Sequence, residues 1–198
     1  MTEARFDPKA LPAWQRLLTA LRNEVVGIHP RLHAYNLAAG LLPPRASGKL
    51  RARLLRAAGF QVGEGSEING ALKVTGPRGL IQRLQIGNGC VLEPDCVLEV
   101  SDRLTIGNNV TLEPGVMILT STHELDFPHH RAGKLILNPV TIGDGAWLRA
   151  RCIILPGANI GAGAIVEAGA VVNKSVEPNT RVGGIPAIKL EALTGNEQ

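Results

Sequence analysis

Aliphatic residues recur every six positions over much of residues 62–172, and this period restricts the fold more than any other feature. The positions form five sets of three: Val62, Ile68, Val74; Ile86, Leu92, Leu98; Ile106, Leu112, Ile118; Ile142, Leu148, Ile154; and Ile160, Val166, Val172. Six residues per face and three faces per turn describe a triangular parallel β-helix, with one aliphatic side chain per face pointing inward. The pattern predicts an all-β domain of four to five coils.

The three cysteines lie at the small inward positions of the repeat. Cys90, Cys96 and Cys152 each follow an aliphatic position by four residues, where other coils have alanine or valine. We therefore expect three buried thiols that take no part in catalysis, because burial in apolar surroundings raises the pKa of a thiol. The number is odd and the spacing fits no metal site. With an aromatic content of only 3%, the core must be aliphatic.

The residues before the repeat have helical spacing. Apolar positions recur over residues 11–28 and 32–42, and a third short helix is predicted over 49–58, ending at Gly59. The predicted division is a helical segment at 1–60, a β-helix at 61–190 and a tail at 191–198. Without an opening secretion signal or an apolar run long enough to cross a bilayer, the chain is expected in the cytoplasm, with no integral membrane segment.

The helical segment carries the positive charge of the chain. Residues 1–60 contain ten Lys and Arg against three Asp and Glu, and the rest contains eleven against fourteen. The cluster consists of Arg45, Lys49, Arg51, Arg53 and Arg56. A solvated helical face explains it, and so does contact with an anionic substrate or membrane surface. Nucleic acid is not expected as a partner, because no aromatic residues are interleaved.

The repeat is interrupted once, between Ile118 and Ile142. Residues 124–141 would place Glu124 and His130 in aliphatic slots, so we predict an excursion loop that leaves the prism at a corner. His123 stands at the start of this loop. An imidazole there suits a general base near neutral pH, but an ordinary surface histidine fits the residues as well. His129 and His130, inside the loop, carry the same ambiguity.

Several motifs give the chain a specific resemblance over about residues 60–190. They are Thr122-His123-Glu124-Leu125-Asp126, the loop itself, Pro139 to Trp147, Pro156 to Gly161, Val171 to Lys174, and Gly183 to Ala187. In this order and spacing they resemble the hexapeptide-repeat O-acetyltransferases, which fold as left-handed parallel β-helices. Within that family the chain looks like the maltose and galactoside acetyltransferases and the related colanic-acid type.

The resemblance implies a function and a set of site residues. It implies a homotrimer that uses acetyl-CoA as co-substrate to O-acetylate a small-molecule or glycan acceptor, with the active site between neighbouring prisms. By the same resemblance His123 is the general base, Trp147 lines the cleft, and Glu99, or Asp102 in a shifted register, contacts the acceptor. The implied CoA contacts are Ala150, Ala168, Asn173, Lys174 and Lys189. The family usually has Gly where this chain has Arg149, and a basic residue where it has Ile188.

Direct transfer in a ternary complex is the simplest mechanism, because the sequence offers neither an outward thiol nor a Gly-x-Ser-x-Gly motif to carry an acyl group. Three other functions stay open. The acceptor can be an amine on a nucleotide sugar or an antibiotic. A carbonic anhydrase-like protein would hold zinc on His123, His129 and His130, although no metal is expected here. The third is a non-catalytic scaffold that has kept the repeat and lost the catalytic activity.

Overall fold

The computed structural model describes residues 29–43 and 45–193, together with positions 12 and 14. The helix predicted over residues 11–28 lies outside the described residues. In the described part, α1 spans Pro30–Gly40 and α2 spans Gly48–Ala57, one or two residues from the predicted bounds. Leu32 of α1 and Leu55 of α2 are buried, and α2 packs over the first coil of the β-domain. No helix in the described residues is long and apolar enough to cross a membrane.

Three parallel sheets form the faces of the β-domain, and we name them A, B and C in the order in which the chain visits them. Face A contains β1 (Gln61–Val62), β4 (Leu84–Ile86), β7 (Leu104–Ile106), β12 (Val140–Ile142) and β15 (Asn159–Ile160). Face B contains β2 (Glu67–Ile68), β5 (Val91–Leu92), β8 (Thr111–Leu112), β13 (Trp147–Leu148), β16 (Ile165–Val166) and β18 (Thr180–Gly183), with β19 (Ile188–Ala192) antiparallel at its edge. Face C contains β3 (Leu72–Thr75), β6 (Cys96–Glu99), β9 (Met117–Ile118), β14 (Ile153–Ile154) and β17 (Val171–Val172).

The register of these sheets stacks the repeat positions on one another. On face A, Ile86 pairs with Val62 on one side and with Ile106 on the other, and the aliphatic positions of faces B and C pair in the same way. All fifteen of the predicted inward side chains are buried. The predicted parallel β-helix with an N-terminal helical segment is confirmed, with about five coils that we number from β1, β4, β7, β12 and β15.

The cysteines occupy the small inward slots, as predicted. Cys90, Cys96 and Cys152 have no exposed surface and form no disulfide. Burial raises the pKa of the Cys96 and Cys152 thiols to about 12, which leaves no thiolate at neutral pH.

The corner between faces A and B brings successive coils so close that only glycine fits. At Gly143 a Cβ atom would lie 2.5 Å from the backbone nitrogen of Ala162 in the next coil, and the glycines at the same corner of the other coils are equally crowded by backbone or side-chain atoms. One residue further on, a ladder of polar side chains joins the coils. Asn108 Oδ1 accepts the N–H of Asn88 at 2.9 Å, and Asp144 Oδ1 accepts that of Asn108 at 2.8 Å.

Extra residues are inserted at another corner of the prism, between faces C and A. The first coil carries the short helix α3 (Leu80–Arg83), and the second carries residues 100–103. The third carries an antiparallel hairpin of β10 (Ser121–Leu125) and β11 (Ala132–Leu137), which occupies the segment predicted as an excursion loop. The repeat did not predict α3, the strands of this hairpin or β19, because all three lie outside its six-residue period.

The crowded corner gives a direct test of the coil spacing. Gly143→Ala should lower the free energy of unfolding by about 3 kcal/mol, since the added methyl group forces the next coil's backbone to move. Gly145→Ala is the matched control: nothing lies within 4 Å of its Cβ position, and only its φ of 69° opposes a side chain. That strain costs about 1–2 kcal/mol. Equal losses in urea denaturation would show that the coils are not in contact at this corner.

Candidate active site

His123 lies on β10, and the partner strand fixes its ring. The Nδ1 atom is 2.8 Å from the carbonyl oxygen of Gly133 on β11. Because a carbonyl oxygen only accepts hydrogen bonds, Nδ1 carries the proton, and Nε2 of the neutral ring is left with a free lone pair. The side chain is exposed on the hairpin. The ring of His123 is therefore held in one orientation, unlike that of a freely rotating surface histidine.

The close packing of the hairpin keeps Gly133 in place. A Cβ atom at Gly133 would lie 2.9 Å from Cβ of Asp126 and 3.1 Å from the carbonyl oxygen of Glu124, so that β11 approaches β10 as a bare backbone here. His129 and His130 lie in the turn between the strands. The His129 ring stacks on Phe127 with 6.0 Å between centroids, and nothing comparable to Gly133 fixes either imidazole. The described residues contain no group of three or more His, Cys, Asp and Glu arranged to hold a metal ion.

Glu99 anchors the base of the hairpin. Its carboxylate accepts the backbone N–H of Thr120 at 2.8 Å and that of Ser101 at 3.0 Å, and the Thr120 hydroxyl lies 3.1 Å away. Burial raises the pKa of this carboxyl, but the hydrogen bonds from Ser101, Thr120 and Ser121 outweigh burial and leave the pKa below its usual value. Thr120 is fully buried, so these bonds hold the corner from which β10 leaves.

The placement of Glu99 bears on its expected role as an acceptor ligand. Both of its carboxylate oxygens already serve the corner between faces C and A. Asp102, the register-shifted alternative, donates its backbone N–H to the Thr120 hydroxyl at 2.9 Å and accepts the N–H of Arg103 through its own carboxylate. In this structure both acidic residues shape the hairpin base.

Trp147 lies on face B and is held by Glu113 of the preceding coil. Glu113 Oε1 accepts the indole N–H at 2.9 Å, and Oε2 accepts the backbone N–H of Ala150 at 2.8 Å. One carboxylate therefore fixes two of the residues that the resemblance assigned to the cleft. The sequence analysis missed Glu113. Leu112 pairs with Leu148 of the next coil, so the residue that follows Leu112 lies beside the one that follows Leu148.

Arg149 covers the ring of Trp147. Its guanidinium carbon lies 5.0 Å from the ring centroid, within the range of a cation–π contact. Arg149 Nη1 is 2.9 Å from Glu167, which also binds Arg181. Burial raises the pKa of Glu167, but the hydrogen bond from Arg181 and the positive charges of both arginines hold it below its usual value. The position where the resemblance implies glycine is thus part of an ion-pair network.

The residues expected to contact CoA lie on both sides of face C. Ala150 and Ala168 are in successive turns between faces B and C, where the N–H of Gly169 donates to the Ala150 carbonyl at 2.9 Å. Asn173 and Lys174 are exposed at the corner between faces C and A, two coils beyond the hairpin. Lys189, on β19, lies 3.1 Å from the carboxylate of Glu177.

One chain does not bring all these residues together. The hairpin with His123 leaves the corner between faces C and A, whereas Trp147 and Glu113 lie on face B. A site that unites the histidine with the tryptophan requires a second prism beside the first.

Comparison with known sequences finds the same repeat in other proteins. Residues 139–174 match the family model described as bacterial transferase hexapeptide (six repeats). A protein of Schizosaccharomyces pombe, provisionally named an acetyltransferase, is 46% identical over 72 residues, which is 36% of this chain and 35% of that protein. The matched region thus spans about a third of the length of the curated relatives.

Two solved structures share the fold over most of their length. A hexapeptide-repeat acetyltransferase of Vibrio cholerae, complexed with acetyl coenzyme A, is 26% identical with a TM-score of 0.71, and the alignment covers 96% of this chain and 93% of that one. A maltose O-acetyltransferase of Clostridium difficile is 27% identical with a TM-score of 0.70, covering 83% and 84%. The resemblance to the hexapeptide-repeat acetyltransferases that the motifs predict is confirmed.

The anchoring role of Glu99 predicts a pH-dependent loss of stability. A carboxyl whose pKa is lowered by folding stabilises the protein above its unfolded pKa and loses that contribution as pH falls through the folded pKa. Glu99→Gln should therefore lower the free energy of unfolding by about 2 kcal/mol at neutral pH, since it leaves a backbone N–H without an acceptor. The difference from the unsubstituted protein should shrink in acid. Urea denaturation from neutral pH to below pH 4 measures it, and a pH-independent difference contradicts the assignment.

Proposed function

We propose that this protein is an acetyl-CoA-dependent O-acetyltransferase that acts on a sugar hydroxyl, with His123 as the general base. The observation that carries the proposal is the hydrogen bond between His123 Nδ1 and the Gly133 carbonyl. It leaves the free lone pair on Nε2 of an exposed side chain, and deprotonation of an acceptor hydroxyl requires such a lone pair. The maltose O-acetyltransferase and the acetyl-CoA complex among the solved relatives support the acceptor class and the acyl donor.

The reaction is a direct transfer. As the acceptor oxygen bonds to the thioester carbonyl carbon, its proton moves to His123 Nε2. The tetrahedral intermediate then collapses with cleavage of the carbon–sulfur bond, and the proton passes from Nε2 to the departing thiolate of CoA. No acyl-enzyme on cysteine is required, and all three thiols are buried. The Gly133 carbonyl keeps the ring oriented and stabilises the imidazolium that forms.

Acetyl-CoA would lie along the cleft with its reactive end near His123. Trp147 and the Ala150 turn are already fixed by Glu113, so their geometry does not have to be created on binding. Lys174 is exposed beyond the hairpin on the same corner and supplies a positive charge for a polyanionic cofactor. Lys189 contributes less to this site, because Glu177 neutralises it.

The active unit in this proposal is a homotrimer. The hairpin exposes apolar side chains that a monomer would leave in water: Leu125 and Phe127 are 83% and 69% exposed, and Leu135 and Leu137 are about half exposed. Packing this hairpin against face B of a neighbouring prism would cover the apolar surface. It would also bring His123 of one chain to Trp147 of the next, which one chain does not do.

Light scattering tests the trimer. A purified sample should have about three times the chain mass of 21.0 kDa at micromolar concentration. Leu125→Glu together with Phe127→Glu should shift the mass towards that of a monomer and abolish acetyl transfer, since charge on the hairpin opposes burial. A monomeric unsubstituted protein that retains acetyl transfer would contradict a site between subunits.

Kinetics with one accepted sugar test the base. His123→Ala should lower kcat by about 10²–10⁴-fold, the usual contribution of a general base, and leave the affinity for CoA nearly unchanged. His129→Ala is the matched control on the same hairpin and should have a much smaller effect, because its ring stacks on Phe127 and, in the described structure, makes no hydrogen bond that fixes one nitrogen as the base. A near-normal kcat for His123→Ala would refute the assignment.

Lys174→Ala should have the opposite kinetic signature. Removing a cation that binds the cofactor in both the ground state and the transition state raises the KM for acetyl-CoA more than it lowers kcat. An unchanged KM with a reduced kcat would place Lys174 outside the cofactor site.

A further inference from the structure

A groove on face B lies directly beside Trp147 and runs towards the helical segment. It has a volume of about 600 Å³, and its lining includes Trp147, Glu113, Glu93, Asn69 and Arg45. The residues come from four successive coils and from the turn before α2, so the groove follows the axis of the prism. Of these residues, the sequence analysis had singled out only Trp147, for the cleft, and Arg45, as part of the basic cluster.

The lining near Trp147 suits a saccharide. Trp147 is 39% exposed, and Glu113 holds its indole N–H. Arg149 covers one face of the ring, and the part of the ring that stays exposed, with carboxylate and amide groups around it, offers a sugar an apolar surface for its C–H groups and acceptors for its hydroxyls. Glu93 Oε1 accepts the amide N–H of Asn69 at 2.9 Å, which leaves oxygen atoms of both side chains to accept from a ligand.

Arg45 closes the other end of the groove and has an unusual backbone. Its φ is 63°, in the left-handed region that a non-glycine residue rarely adopts, and its N–H donates to the Asn69 carbonyl at 2.9 Å. Arg45 also lines a second pocket of about 420 Å³, together with Lys49, Arg53 and Glu67. The groove and this second pocket therefore meet at Arg45.

The positive charge around Arg45 is available to a ligand. Of the basic cluster found in the sequence, Arg51 donates to the carbonyls of Leu42 and Pro43, and Arg56 to those of Val62 and Gly63. The three remaining cations line the second pocket, and Glu67 is the acidic residue among its lining. Glu67 lies 3.6 Å from Lys49. Three positive charges against one negative charge leave a surplus of two, which matches the charge of a phosphate monoester.

We propose that the acceptor is a short saccharide chain that carries a phosphate group, with its terminal sugar ring on Trp147 and the phosphate against Arg45, Lys49 and Arg53. Trp147 lies three strand spacings from Glu67 of the basic pocket, or about 14 Å, so the chain needs two or three sugar units to reach from one to the other. The inference rests on the proposed function only in taking the sugar as the acetyl acceptor. It gives the basic cluster of the helical segment a role in acceptor choice. It also explains why Arg45 is held in a strained conformation where the groove meets the basic pocket.

Fluorescence of Trp147 tests the binding step without any acetyl transfer. The chain contains two tryptophans, so Trp14→Phe makes Trp147 the single reporter. The protein is titrated with glucose, maltose and maltotriose, and with the 1-phosphate of each. At low salt the phosphate of at least one of these saccharides should bind about tenfold or more tightly than the parent saccharide, and added salt should reduce this advantage, since exposed charges are screened.

Substitutions then locate the phosphate. Arg45→Gly removes the cation and tolerates the positive φ, so the fold is kept, and it should reduce the advantage of the phosphate at least fivefold. Arg53→Gln should act in the same direction. Arg78→Gln, an exposed cation away from face B, is the matched control and should leave the advantage unchanged. Binding of the neutral saccharides should be nearly equal in all these proteins.

Equal affinity for every saccharide and its phosphate, the absence of binding across the panel, or an advantage that survives Arg45→Gly would overturn the inference. CoA binding and acetyl-CoA turnover, measured on the same samples, separate this failure from that of the proposed function. A protein that binds CoA and acetylates neutral sugars equally well keeps the proposed function and loses the phosphate site. A protein that neither binds CoA nor transfers acetyl groups loses the proposed function, whatever its affinity for saccharide phosphates.

Discussion

The interior of the prism admits one large side chain per face in each coil, and the backbones at one corner come close enough to exclude a methyl group. These two limits fix the coil spacing and the register together. The repeat positions stack on one another along all three faces, and Gly143 shows how little room separates neighbouring coils at the A–B corner. Because this corner cannot open, outward side chains such as Glu113 and Trp147 are held at a defined separation between coils.

The candidate site depends on a different kind of contact. The hairpin leaves the prism at Thr120, which is buried and bonded to Glu99 of the previous coil through both its N–H and its hydroxyl. A rigid departure point and an antiparallel partner then set the His123 ring against Gly133. The orientation of the proposed base is thus traced to an acidic side chain one coil away, which the resemblance had assigned to the acceptor.

The sequence predicted the fold well because the six-residue period directly reports the inward positions. It predicted the buried cysteines for the same reason. The contacts of the outward residues were harder to predict, because their partners lie one coil away. The number of sequence positions between two such partners changes wherever a corner carries extra residues. Glu113 and Arg149 are 36 positions apart because of the hairpin, whereas Arg149 and Glu167 are separated by the regular 18. The strands of the hairpin and β19 follow no period, and α1 and α2 were predicted because helical spacing is a separate signal.

The difference between the corners determines where a protein of this architecture can accept insertions and deletions. The A–B corner is closed by glycine in every complete coil, but the C–A corner accepts a short helix, a few residues or a whole hairpin without disturbing the neighbouring rungs. Insertions and deletions can therefore accumulate along a single edge of the molecule. In the fourth coil this edge holds only the tight turn from Leu155 to Ala158. A second hairpin grafted there would stand beside the first, so new specificity could be added to an unaltered core.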